Sequence, residues 1–154
     1  MKYLMALVLF LIGTQTALAQ TPSKAALLAE TLAVTDGITT YIGIKNDNIV
    51  EANPIMPSSK EGIIGVTLAK VLFIAATDKY ASDKTKENSM PVVSAVFGAA
   101  TVNNLALING QENGTARTLG VLSGIGFYYL GKHLINKDSM VYVTGDSIVY
   151  QRRF

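Results

Sequence analysis

From residue 88 to residue 111 the chain carries no charged side chain, and a second uncharged run covers residues 118–131. Stretches this apolar must satisfy their backbone N–H and C=O groups internally, which a helix does within one segment. Two more apolar segments precede them. One runs from Thr21 to about Ile44 and holds Glu30 and Asp36; the other runs from Ser58 to Thr77 and holds Lys70. Interrupted by these charges, each offers an unbroken apolar stretch short of the roughly 20 residues that span a bilayer untilted. The pattern predicts an all-α bundle of about four short transmembrane helices over residues 20–135. Composition points the same way: 49% of residues are hydrophobic, 16% are charged, and the mean hydropathy is +0.33.

Local signals place the segment ends. Thr21 and Pro22 suit an N-cap followed by Pro at the first helical position, and Ser58 with Glu61 suits a capping box. The third helix is expected to open at Ser89-Met90-Pro91 and run to about Asn109, leaving 78–89 as a charged, solvated loop. The fourth is expected from Thr115 to His133, after a turn at 111–114. Small residues recur at four-residue spacing: Gly65 and Ala69, Ser94 and Gly98 with Ala95 and Ala99, and Ala116, Gly120 and Gly124. Such spacing lets helix backbones approach closely. It makes Ser94, Gly98, Gly120 and Gly124 candidate faces for homo- or hetero-oligomers. The tail, residues 136–154, differs in kind. Two β-prone runs, 141–144 and 147–150, flank Gly145-Asp146 and read as a β-hairpin.

The first 19 residues read as a signal peptide, with Lys2, an apolar stretch from Tyr3 to Ile12, and Ala17-Leu18-Ala19 before Gln20. Export to the bacterial inner membrane is therefore expected, with a periplasmic helical protein as the alternative. Absence of cysteine excludes disulfides and thiolate metal sites, and His133 is the one histidine. A formal charge of +2 without a basic stripe gives no nucleic-acid footprint. No cofactor, metal site or catalytic constellation follows from the sequence, and the lipid bilayer is the expected partner. Asp36 and Glu51 lack a companion nucleophile or oxyanion donor, so no enzyme activity is expected.

Polar groups inside apolar helices are expensive and face inward with partners. If the first two helices are antiparallel neighbours, Asp36 and Lys70 lie at matching depths, about 12–14 Å from one end at about 1.5 Å per residue. Thr40 follows Asp36 by one turn and Thr67 precedes Lys70 by one turn, so both hydroxyls share the charged faces. Asn103 and Asn104 enter from the third helix near the same end. The expected cluster is Asp36, Thr40, Thr67, Lys70, Asn103 and Asn104, beside a loop motif of Glu51, Asn53 and Pro54. It reads as hydrogen-bonded glue fixing helix register or as a binding site for an ion, a proton or a small polar solute.

Asp36-x-x-Thr39-Thr40 followed by Glu51-x-Asn53-Pro54 resembles a family of small prokaryotic integral membrane proteins known only as a domain of unknown function. The resemblance covers roughly Leu27 to Asn109. It implies three or four membrane helices, with Lys70 standing for a lysine in the second and Asn103 or Asn104 for an asparagine in the third. It implies no activity. The signal-like start, the fourth segment and the tail have no counterpart in it.

These readings amount to a small helical inner-membrane protein with a structural or interaction role, or alternatively a small-ion or solute-binding, transport-like protein. Orientation is contested. A cleaved leader would put Lys45, Lys60 and Arg117 in the cytoplasm and Lys24, Lys79, Lys84, Lys86, Lys132, Lys137, Arg152 and Arg153 outside. The positive-inside rule prefers the reverse. Either way, reporter fusions at Thr85 and Gly145 should report one side of the membrane and a fusion at Ile55 the other. A fusion series in which all three agree would refute four spans.

Overall fold

The computed structural model describes residues 22–46 and 59–137, with side chains through residue 135, and beyond these the backbone of two strands. Four helices follow one another: α1 (Lys24–Lys45), α2 (Lys60–Tyr80), α3 (Asp83–Ile108) and α4 (Asn113–Lys137). The strands β1 (Ser139–Thr144) and β2 (Ser147–Arg152) pair antiparallel, and nothing at the site depends on them. The leader 1–19, the loop motif Glu51, Asn53 and Pro54, Ser58, and the Gly145-Asp146 turn lie outside the described residues.

α1 is the central helix. Its buried positions cover about half of its circumference, from Ala25, Ala26 and Ala29 through Leu32, Ala33 and Asp36 to Thr40 and Gly43. Small side chains at Ala25, Ala26, Ala29 and Ala33 form the core with Val71, Ile74, Met90 and Ile135, and let neighbouring helices close on α1. α2 lies antiparallel to α1 and buries one stripe, Ile63, Thr67, Val71, Ile74 and Asp78, at the spacing of a single helix face. α3 runs parallel to α1, and α4 returns antiparallel along α3.

The α3–α4 contact explains the small residues. A Cβ on Gly120 would stand 2.9 Å from the Ala99 carbonyl oxygen, one on Gly124 would stand 3.0 Å from that of Ala95, and one on Gly131 would stand 3.0 Å from Pro91 Cα. Gly98 gives its space to the Phe127 ring. Ser94 is fully buried. The faces read from the sequence as association surfaces are thus filled from within the chain.

Several ends differ from expectation. Ser23, not Thr21, caps α1, its Oγ accepting from Ala26 N at 3.1 Å. Ser59 caps α2 by accepting from Gly62 N at 3.1 Å, so the capping-box partner position holds Gly62 rather than Glu61. The expected loop 78–89 is mostly helix. Ser82 caps α3 through Thr85 N, Asp83 stands in the first turn where the helix dipole favours an acid, and Lys86 is buried. Pro91 therefore sits inside α3 instead of opening it. A proline there deprives the Glu87 carbonyl of its helical donor; Gly131 supplies the room for Pro91 against α4.

Two glycine classes follow, and they should respond oppositely. Gly124→Leu should cost about 1–3 kcal/mol by overpacking the α3–α4 seam. Gly126→Ala, where an added Cβ meets nothing within 4 Å, should stabilise by up to about 1 kcal/mol through helix propensity. Denaturant titration in detergent, read by circular dichroism, measures both.

Candidate functional site

Asp36 enters the bundle from the middle of α1, and each oxygen of its carboxylate meets a different helix. Oδ2 accepts from Lys70 Nζ of α2 at 2.8 Å, and Oδ1 accepts from Asn104 Nδ2 of α3 at 3.3 Å. A carboxylate can only accept, so the Asn104 amide must turn its nitrogen toward it. The same nitrogen lies 3.0 Å from Thr40 Oγ1 and 3.4 Å from Thr39 Oγ1. Thr39 in turn donates to the Asp36 backbone carbonyl at 3.1 Å. Lys70 rests over the Phe97 ring, 4.8 Å from its centroid, where the negative face of the ring attracts the ammonium. One turn earlier along α3, Thr101 donates to the Leu32 carbonyl at 3.4 Å.

Helix spacing builds this cluster. Asp36, Thr39 and Thr40 share one face of α1, and Phe97, Thr101 and Asn104 share one face of α3, at steps of three, four and seven residues. Lys70 is midway along α2, so the pair lies about 15 Å from either end of that helix at about 1.5 Å per residue. The cluster is therefore central to α2 and not displaced toward the 47–58 connection.

Two expected members stand elsewhere. Thr67 donates to its own helix, to the Ile63 carbonyl at 2.8 Å, and fills the space left by Gly37 on α1. Asn103 faces α4, its Cβ 3.1 Å from where a Gly120 Cβ would be. Thr39 and Phe97 join instead. Thr39 was visible as part of the Asp36-x-x-Thr39-Thr40 string, whereas nothing in the sequence paired Phe97 with Lys70. Glu30 is buried at 6% exposure, while His133 is exposed.

A second interhelix tie lies at the start of α1. Asp78 of α2 accepts from Ser23 N at 2.9 Å and from Ser23 Oγ at 2.7 Å, while that hydroxyl caps α1. A carboxylate at a helix N-terminus is favoured by the helix dipole. α1 and α2 are thus bound at two levels, by a cap near one end and an ion pair near the middle. Among the described residues, no group of three or more His, Cys, Asp or Glu is placed to hold a metal ion.

Residues 26–110, more than half of the chain, match the family described as Domain of unknown function (DUF5658). The chain belongs to the DUF5658 family. No curated protein matches it, and no solved structure matches it. The DUF5658 segment contains α1 from Ala26, all of α2 and all of α3, so every member of the Asp36 cluster lies within it. α4 begins beyond its end and covers α3 from the other side.

Removing one partner of a buried pair leaves an uncompensated charge, which typically costs about 3–5 kcal/mol. Asp36→Ala should lose stability on that scale. Asn104→Ala should lose less, about 1–3 kcal/mol, because it removes hydrogen bonds and no charge. Exchanging the charges, Asp36→Lys with Lys70→Asp, should recover part of the loss. A double variant no more stable than the two single losses added together would show that the pair contributes no coupling.

Proposed function

We propose that this DUF5658 protein is a small helical inner-membrane protein with a structural or interaction role, in which the Asp36–Lys70–Asn104 cluster locks three helices in register. The observation that carries the reading is the use of Asp36: both carboxylate oxygens are engaged by the chain's own side chains, one from each flanking helix. A site kept for a cation would leave carboxylate oxygens facing an opening. Here the side chain is 7% exposed and ringed by donors.

The bilayer setting is supported by where charge and apolar surface fall. Glu30 and Asp36 are buried, while Phe73, Val96, Val121, Leu122, Ile125 and Tyr129 are each more than half exposed. A water-soluble bundle favours the opposite arrangement, whereas lipid rewards apolar side chains outside and paired charges inside. α3 is long and apolar enough to cross a membrane by length and composition. Among the described residues it is the one helix that is; α1, α2 and α4, with 22, 21 and 25 residues, reach that length at about 1.5 Å per residue but not that composition. The leader read at residues 1–19 would direct the chain for export.

Alkaline carbonate washing of membranes tests this directly. The protein should stay in the pellet, and its appearance in the soluble fraction would overturn the membrane assignment. Asp36→Asn and Lys70→Met should both lower its steady-state abundance, as expected for a lock.

A further inference from the structure

The start of α3 carries two donors that the fold leaves without an acceptor. Lys86 stands in the first turn and is only 8% exposed, yet its ammonium has no hydrogen bond or ion pair among the described residues. Ser89 follows three residues later on the same helix face, and its hydroxyl is buried without a partner. Buried polar groups are nearly always satisfied, and an unpaired buried charge is the costliest exception. The acids nearby do not fill the role. Asp78 accepts from the Ser23 N–H and hydroxyl. Asp83 is exposed and makes no ion pair with Lys86 among the described residues, and Glu87 stands about 100° around the helix from it.

An ammonium can only donate, and a hydroxyl can donate. What this face lacks is an acceptor, and beside a cation the fitting acceptor is an anion. Two more cations, Lys79 and Lys84, lie at the same end of the bundle, on either side of the α2–α3 junction. Lys79 rests over the ring of Tyr80, 5.4 Å from its centroid, and Tyr80 is exposed. Tyrosine and lysine at a helix end are the usual anchors at the headgroup layer. Further along α3 from Ser89, at steps of three and four residues, come Val92 and Val96, both exposed. They lie about 9 and 15 Å beyond Lys86 at about 1.5 Å per residue. Cations at the end with an apolar stripe below them match the order of a phospholipid, phosphate outward and acyl chain inward. A lysine whose stem is buried while its head serves the polar layer is suited to that position.

We propose that the start of α3 holds the phosphate of an anionic phospholipid, taken by Lys86 and Ser89 with Lys79 and Lys84 at the same end, and that an acyl chain lies along Val92 and Val96. Basic sites at the ends of membrane helices recognise acidic headgroups in this way. The proposal rests on the bilayer reading and names a lipid class within it. It also gives the buried Lys86 a counter-charge, which the described residues do not supply.

The test uses the purified full-length chain in an uncharged detergent. Phosphatidylglycerol and phosphatidylcholine of matched chains are added in turn, and bound lipid is counted by native mass spectrometry. Both carry a phosphate, but the choline ammonium compensates it within the second lipid. Phosphatidylglycerol should be retained preferentially, and Lys86→Gln should cut that preference about fivefold, the factor one lysine at an anionic surface supplies. Lys86→Arg keeps the cation and should keep the preference. Arg117→Gln, at the opposite end of the bundle, should leave it unchanged. Glycerophosphoglycerol, the same headgroup without chains, should not compete. Equal retention of the two lipids, a preference unmoved in Lys86→Gln, or competition by the chainless headgroup would each overturn the proposal. The first and third are read on the unmodified chain, so a Lys86→Gln chain that fails to fold does not shield it. Release by carbonate would overturn the bilayer assignment, whereas equal lipid retention by a carbonate-resistant chain would overturn this site alone.

Discussion

Asp36 ties together two helices that scarcely touch each other. α2 and α3 hardly meet, yet each sends one side chain to the same carboxylate on α1, Lys70 to one oxygen and Asn104 to the other. In an apolar setting neither charge is tolerable alone, so the position of each flanking helix is tied to α1 at this depth. The Ser23–Asp78 cap adds a second level of attachment between α1 and α2, and the Thr101–Leu32 bond a second between α1 and α3. Polar contacts of this kind give register, which featureless apolar packing does not.

The remainder of the bundle is arranged so that backbones can come near enough for those contacts. Alanines on α1 admit the neighbouring helices, Gly37 makes way for Thr67, and the glycines of α4 let it lie against the α3 backbone at Ala95 and Ala99. Small residues are thus spent inside the chain, on α3–α4 closure above all. What faces outward is large and apolar, including Phe73, Val121 and Tyr129. Paired polar groups among the buried side chains and large apolar ones outside fit the proposed bilayer setting together.

Matching depths on two antiparallel helices were enough to pair Asp36 with Lys70 from the sequence, because helical rise is nearly constant and both charges needed a partner. Choosing between Asn103 and Asn104 was not possible in the same way. They differ by one residue, about 100° around the helix, and only the rotation of α3 decides that Asn104 meets α1 while Asn103 meets α4. Thr67 was misplaced for a related reason: sharing a face with Lys70 does not oblige a hydroxyl to join it, since a helix carbonyl one turn back is always within reach. The start of α3 was misread because proline and charge suggest a break, whereas Ser82 had already capped a helix that tolerates Pro91 against Gly131.

By itself the sequence determined the class of structure, the number and rough extent of the helices, the need to bury Asp36 and Lys70 together, and the four-residue spacing that permits tight packing. These follow from local rules of hydropathy, rise and charge. Only the tertiary structure decided which face of each helix turns inward: that Asn104, Thr39 and Phe97 surround the ion pair, that Glu30 is buried, and that the glycine faces close on a partner in the same chain. Those choices depend on helix rotation and crossing, which are set by the sum of many weak contacts between segments far apart in sequence.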